Sequence, residues 1–514
     1  MTTLHLRKSI DRSPLRLGFL LVTLAFVCFG LLPASRALLP PPPPDGGYPN
    51  FNTAEGDGAL FNLTNGTYNT AIGFQALFKN SSGFQNTASG VGALHENTFG
   101  QYNTATGVNA LWHNQVGNYN TANGFQALFN NTNGNWNTAS GVSALQSNTS
   151  GGLNAAVGFQ ALWKNTTGSW NTATGINALL NNTTANQNTA NGAFALQSNT
   201  TGGANTATGY NALWKNTIGN FNTANGFSVL LNNTTGSDNT GIGHSALLTN
   251  TTGSNNTACG TNALNRNTIG TLSVANGVSA LYSNTTGGSN TAIGAAALIS
   301  NTTGSENIAI GHNAGRFLTT GSNNIDIGGF GVAAEATTIR IGEQGIQTRT
   351  FIGGIYGATV ANGVAVKVDN SGHLGTLASS ARFKEAIKPM DKASEAILAL
   401  EPVSFRYKHD LDPDGIPQFG LIAEQVEKVD PDLVARDEEG RVYTVRYDAV
   451  NAMLLNEFLK EHRTVKQQGA TIAELKKEIA ALAATVKEQA AQIQKVGAQL
   501  ELNKSAPRTV QNPQ

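Results

Sequence analysis

The chain has 514 residues with 32 Lys and Arg against 32 Asp and Glu, so only 12% of side chains are charged and the net charge is zero. That balance, with no basic stripe, excludes a nucleic-acid-binding surface, and two cysteines, Cys28 and Cys259, exclude a disulfide scaffold and a zinc ribbon. The charges are also segregated, nine between Asn52 and Glu306 and forty-eight between Asn307 and Gln514. The first half is left with little for acid–base or metal chemistry, and no cofactor or metal is expected.

Arg7, Lys8, Arg12 and Arg16 precede an apolar run from Leu17 to Leu32, followed by Ser35-Arg36-Ala37 with small residues at both cleavage positions. This is the layout of a secretory signal peptide over residues 1–37. Sixteen apolar residues fall short of the roughly 20 that a membrane span needs, so no membrane span is expected after signal removal. Residues 38–51 contain five consecutive prolines, Pro40 to Pro44, and read as a stiff, extended spacer.

From Asn52 the chain repeats N-T-A-x-G-x-x-A-L-x-x-N-T-T-G-x-x every 17 residues without insertion, the leading Asn recurring from Asn69 to Asn324 with Ser273 as the one substitute. Seventeen residues are too few for a helical hairpin, and Gly at positions 5 and 15 opposes helix. The period suits one coil of a β-solenoid, with two short strands and two turns, stacked at about 4.8 Å per coil. Residues 52–328 are therefore expected to span roughly 80 Å, with Asn side chains hydrogen-bonded in a ladder and Ala and Leu at positions 8 and 9 in apolar columns. Gly at 5 and 15 would supply the corner angles. Stacking like charges would be repulsive, which accounts for their scarcity.

Position 10 adds a 51-residue super-repeat that places Trp112, Trp163 and Trp214 three coils apart. It reads as duplication of a three-coil block, or as a row of exposed Trp that binds glycan or another surface. Position 17 carries Tyr102, Tyr119, Trp136, Trp170 and Phe221, which could fill an interface between chains. The frequent Asn-x-Thr triplets match a glycosylation sequon, but the ladder explains them without it. Calcium-binding repeats need Asp in every coil, and a glycosidase needs a carboxylate pair; neither is present. Thr-x-Thr is complete in scattered coils such as 104–106 and 172–174, so an ice-binding face is a minor alternative. His95, His113 and His244 read as isolated surface or interface residues and not as ligands. The A-x-G-x-x-A-L coils resemble the β-roll heads of trimeric autotransporter adhesins, although the coil here is longer; the resemblance implies a left-handed roll assembled as a trimer.

Residues 329–378 alternate apolar and polar side chains, with expected strands at 338–341, 350–352 and 364–368, and read as a β-rich neck. Charge returns at Ser379-Ser380-Ala381-Arg382-Phe383-Lys384-Glu385. An expected helix (393–400), a strand (403–407), the segment Phe419-Gly420-Leu421-Ile422-Ala423-Glu424-Gln425-Val426, Asp430-Pro431-Asp432, a strand (442–447) and a long helix follow. This order resembles the intramolecular chaperone, auto-processing domain that ends phage endosialidases, tail spikes and tail fibres. The resemblance implies that residues 379–460 trimerise, guide folding of the β-rich part ahead of them, and cleave themselves at an S-D-x-R-x-K motif. By that likeness Ser379 is the nucleophile, Lys384 the general base, Arg382 the motif Arg, and Ser379–Ser380 the scissile bond; Ser380 stands where the motif has Asp. A Ser/Lys pair works only if burial disfavours the charged lysine, which trimer assembly would supply.

Val465, Ile472, Ile479, Val486, Ile493 and Leu500 fall seven apart, with Gln468, Leu475, Leu482, Gln489 and Val496 between them. This is a heptad pattern, and residues 461–503 are expected to form a coiled coil, followed by a disordered tail (504–514). β-Branched a positions with Leu at d lean towards two strands, Gln at two d positions weakens that preference, and the family resemblance implies three. The expected fold is mainly β: a β-solenoid or β-roll, a neck, and an α+β chaperone domain ending in a coiled coil, as a homotrimer. The expected protein is a secreted or cell-surface, adhesin-like fibre whose partners are its own copies and possible glycan or cell receptors, with a single-turnover serine auto-peptidase and no external substrate. A phage-type tail fibre is the alternative.

Overall fold

A computed structural model of the chain describes residues 48–503 apart from Tyr356, Asn370 and Glu438. The expected signal peptide, the proline run of the spacer and the expected tail lie outside the described residues. The chain divides into two compact units, one up to Arg349 and one from Thr350.

The first unit is a parallel β-solenoid. Eighteen three-residue strands, β1 (Thr53–Glu55) to β18 (Ile339–Ile341), form one sheet in which each strand pairs in parallel with the next. Register follows the repeat, as in Thr104↔Thr121, Ala105↔Ala122 and Thr106↔Asn123. Repeat position 3 points inward, and its Ala column joins the Ala and Leu columns of positions 8 and 9 in a core whose members, such as Ala122, Ala127 and Leu128, are fully buried. Small inward side chains are what a coil of this girth can hold.

Each coil contains one strand, not the two expected. The other half of the coil also hydrogen-bonds to its neighbours, as in Leu128 N to Ala144 O (2.9 Å), Asn130 N to Gln146 O (2.9 Å) and Thr132 N to Thr149 O (3.0 Å). It does so with left-handed residues interspersed at positions 7, 9 and 17, for example Gln126 (φ 54°), Leu128 (φ 51°) and Trp136 (φ 56°). That alternation bends the backbone inward after every bond, so no extended ladder forms. A left-handed non-glycine residue costs on the order of 1 kcal/mol; burial of the Leu side chain more than offsets it.

The two glycines differ from one another. At position 5 the backbone is left-handed, and a Cβ on Gly124 (φ 139°) would lie 2.5 Å from the Gly141 carbonyl oxygen. At position 15 φ is not positive; glycine is favoured because a Cβ on Gly134 would meet Asn131 Oδ1 and the Gly151 carbonyl oxygen at 2.4 Å, and Ala185 is the one non-glycine residue at this position. Close approach, not corner geometry, selects that glycine.

Two amide ladders run through the stack. At position 1, Asn120 Nδ2 donates to Asn103 Oδ1 (3.1 Å) and to Gly134 O (2.8 Å), while Asn120 N donates to Asn103 Oδ1 (2.9 Å). Ser273 keeps this ladder going, its N donating to Asn256 Oδ1 (3.1 Å) and its Oγ accepting from Asn290 N (3.3 Å). At position 12, Asn131 Nδ2 donates to Asn114 Oδ1 (2.8 Å) and Gly134 O (3.0 Å). Along the stack these buried amides are thereby satisfied by the neighbouring coil and by the turn of their own.

The strand expected at 338–341 is β18 and closes the solenoid, pairing with β17 (Ile325–Ile327) after a coil of 14 residues. In the second unit, residues 350–352 form no strand, while β19 (Val366–Val368) and β20 (Leu374–Thr376) pair as an antiparallel hairpin. Beyond it lie 3-10 turns over Asp391–Ala399, the hairpin β21 (Val403–Phe405) with β22 (Gln418–Gly420), α1 (Ala423–Val429), the hairpin β23 (Val434–Arg436) with β24 (Val442–Val445), and α2 (Tyr447–Leu502). Val426, Leu433, Val434, Val445 and Met453 form a small core around the start of α2.

Candidate cleavage site

Ser379 and Lys384 meet because the chain between them makes a single tight turn. Residues Ala381–Phe383 form a 3-10 turn with Ser380 extended before it and Lys384 extended after it. Phe383 N donates to Ser380 O and Lys384 N to Ala381 O, both at 3.0 Å. The turn folds Lys384 back so that its Nζ donates to Ser379 Oγ at 3.2 Å. Arg382 lies over the Phe383 ring, 4.6 Å from its centroid. All of these residues are exposed. The single chain therefore brings the nucleophile and base candidates within hydrogen-bonding reach, and leaves the pair open to solvent. A lysine base needs a desolvated setting, and the residues for one are not in this segment.

A polar cluster that sequence reasoning missed ties the following turns to α2. Ser394 is buried, its Oγ donates to Glu457 Oε1, Asn456 Nδ2 donates to Ser394 Oγ (2.7 Å), and Lys460 Nζ donates to Glu457 Oε1 (2.7 Å). The hydrogen bond from Lys460, then that from Ser394, holds the Glu457 carboxyl below its ordinary range. Ser394 and Glu457 are 63 positions apart, and no local pattern signals the contact. The heptad residues of α2 beyond this cluster all face solvent in the single chain; Ile472, for instance, is 51% exposed.

The solenoid surface revises the reading of its aromatic rows. Trp112, Trp163 and Trp214 are half-buried. Trp163 Nε1 donates to Gln146 Oε1 and Trp214 Nε1 to Gln197 Oε1, and Trp112 stacks on His95 at 4.1 Å. This row is occupied internally. The exposed aromatics are those of position 17, where Tyr102, Tyr119 and Trp136 stack in sequence and Trp170 is 60% exposed.

His95 and His113 are likewise not isolated. His95 is sandwiched between Phe78 and Trp112, and burial, then the charge of Lys79, lowers its pKa. Glu96 accepts from Lys79 Nζ (2.8 Å) and pairs with His113 Nδ1 (2.7 Å), and these hydrogen bonds, Lys79 first, lower the Glu96 pKa. His244 stacks on Phe227. Sequon asparagines at position 12, such as Asn148 and Asn165, are fully buried with Nδ2 engaged twice. Among the described residues, no helix is long and apolar enough to cross a membrane.

Residues 379–435 match the sequence profile of the family described as chaperone of endosialidase. The match begins at Ser379 and runs through the hairpin β21–β22, α1 and into β23. No curated protein and no solved structure matches the chain. A β-solenoid followed in sequence by this chaperone segment fits a trimeric tail-fibre-like or adhesin-like protein, and chaperone segments of this family act in trimerisation, consistent with self-association of this chain.

Proposed function

We propose that the chain is an exported, homotrimeric surface fibre of adhesin type whose C-terminal region is an intramolecular chaperone that cuts itself once. The observation that carries this reading is the chaperone match at 379–435 on a chain whose preceding part is a stack of near-identical coils. Such a stack has a register problem: a slip by one coil exchanges nearly equal contacts. A trimerising chaperone and the heptad stripe of α2 would bring three chains together at one end, so that coils stack from a common start.

Self-cleavage is the second part of the proposal. Ser379 Oγ acts as nucleophile and Lys384 Nζ takes its proton, in keeping with their 3.2 Å contact. Overall one water is consumed, the Ser379–Ser380 bond breaks, and a carboxylate on Ser379 and an amine on Ser380 result. The exposed pair becomes competent when neighbouring chains bury it, so cleavage reports assembly. The released piece is the chaperone with its coiled coil, and the fibre remains. The exposed position-17 aromatics, edged by Gln101, Asn118 and Asn135 at position 16, offer the ring-and-amide chemistry that suits a glycan on a host or neighbouring cell.

The test is native mass of the purified chain beside a Ser379→Ala variant. The expected result is a trimer in both, with a 135-residue fragment, Ser380 to Gln514, produced only by the parent. A monomer removes the fibre reading, and an intact parent chain removes the processing step alone.

A further inference from the structure

The outward face of the solenoid strands changes chemistry along the stack. On β4 (Thr104–Thr106) and β8 (Thr172–Thr174) both outward side chains are Thr. On the last three strands, β16 (Ile308–Ile310), β17 and β18, both are Ile. The six side chains lie in register, Ile308 over Ile325 over Ile339 and Ile310 over Ile327 over Ile341. Ile308 is 37% exposed, Ile325 is half-buried, and exposure is largest on the last strand, 67% at Ile339 and 71% at Ile341. The result is an uncharged, β-branched patch at the C-terminal end of the solenoid, the one place where both outward columns are Ile; on earlier strands such as β12 and β15 a single outward Ile stands beside Thr.

We infer that this patch is covered by the same patch of other copies of the chain, so that the solenoids meet at their last coils while the Thr-faced coils stay apart and free. This rests on the trimeric reading above. Three observations favour a copy of this chain over a foreign partner. The face carries no polar group that could orient a glycan or a peptide. Identical chains in register bring Ile rungs to the same height, where β-branched side chains interlock across the seam. Most decisively, apolar surface without an intrachain partner continues along the sequence from this patch: Phe351 is 88% exposed, Val360 and Leu374 follow, and after the chaperone segment the heptad stripe of α2 continues it. Such a run is completed by one kind of partner throughout, the chain itself.

Disulfide trapping tests this in the full chain, on a background lacking both native cysteines (Cys28→Ser, Cys259→Ser). Ile310→Cys and Ile327→Cys are compared with Thr106→Cys and Thr174→Cys, which occupy the same outward position higher in the stack. After mild oxidation, the two lower positions are expected to give covalent two-chain species at least tenfold more than the two upper ones. Equal yields at all four positions overturn the inference. No trapping at 310 and 327 in a chain with the native mass of a trimer also overturns it and leaves the trimeric reading standing. A native mass of one chain removes both.

Discussion

The solenoid and the C-terminal unit solve the burial problem in opposite ways. In the solenoid an inward side chain finds its partner 17 residues away in the same chain: Asn on Asn, Ala on Ala, Leu on Leu. In the C-terminal unit five buried apolar side chains make up the core, and the heptad residues of α2, like the segment before the chaperone, face solvent. The first region folds on itself by repetition, whereas the second leaves much of its apolar surface uncovered in the single chain, the surface that the proposed trimer would bury. The lesson is that repetition yields cohesion without specificity, and in the proposed assembly the less regular region would supply the specificity the repeat lacks.

The contrast is broken most severely at a glycine. Gly124→Ala sets a Cβ 2.5 Å from the next coil's carbonyl oxygen at φ 139° and is expected to cost about 3 kcal/mol or more. It should appear as accelerated amide exchange in the coils on either side. Gly469→Ala on α2, where nothing lies within 4 Å of the new Cβ, is expected to do the reverse and raise helix stability by about 1 kcal/mol.

A charge in the solenoid core gives the next effect. Asp326 occupies the inward Ala column, is 1% exposed, and neither carboxylate oxygen has a hydrogen-bond partner. Burial, then the nearby Glu335, raises its pKa from 3.8 to about 6. A raised carboxyl pKa means that the native state takes up the proton first, so stability falls as pH rises from about 4 to about 6 and stays reduced above that. Asp326→Ala is therefore expected to stabilise the last coils by about 2–3 kcal/mol at pH 7.5 and to make little difference at pH 4, read as exchange rates of the β17 and β18 amides. The smallest effect belongs to the surface. Glu96→Gln should cost less than about 1 kcal/mol at neutral pH. Because the Glu96 pKa is lowered, that difference should vanish as pH falls below the ordinary carboxylate range, in thermal scans of parent and variant.

Much of the solenoid was legible in the sequence because its period equals its structural unit: the Asn ladder, the Ala and Leu columns and the lack of charge all follow from stacking like on like. The single strand per coil was not legible. It depends on Leu and Gln residues adopting left-handed backbone, which their intrinsic preferences oppose and the stack imposes. The exposure of Trp136 and Trp170, against the internal hydrogen bonds of Trp163 and Trp214, was also hidden, since both rows share the same residue type. At the candidate cleavage site, the residue types came from a family resemblance, and the 3.2 Å contact came from a turn that a six-residue motif does not announce. The Ser394–Glu457 contact joins distant segments and has no sequence signal at all.

The last coil ends the columns as well as the period. Above Asn301 the amide column meets Leu318, leaving Asn301 Oδ1 without a partner, and above Ala309 the alanine column meets Asp326 and then Arg340, which is held by Glu335 (2.8 Å). A tower of interchangeable coils has no intrinsic height, and an open end would accept a coil from any other molecule as readily as its own. Here an arriving Ala-and-Asn coil would trap the Arg340 guanidinium against a methyl group and find no amide to continue its own. The filament is thereby barred from growing end to end on this side, and its length is a property of the polypeptide instead of its concentration.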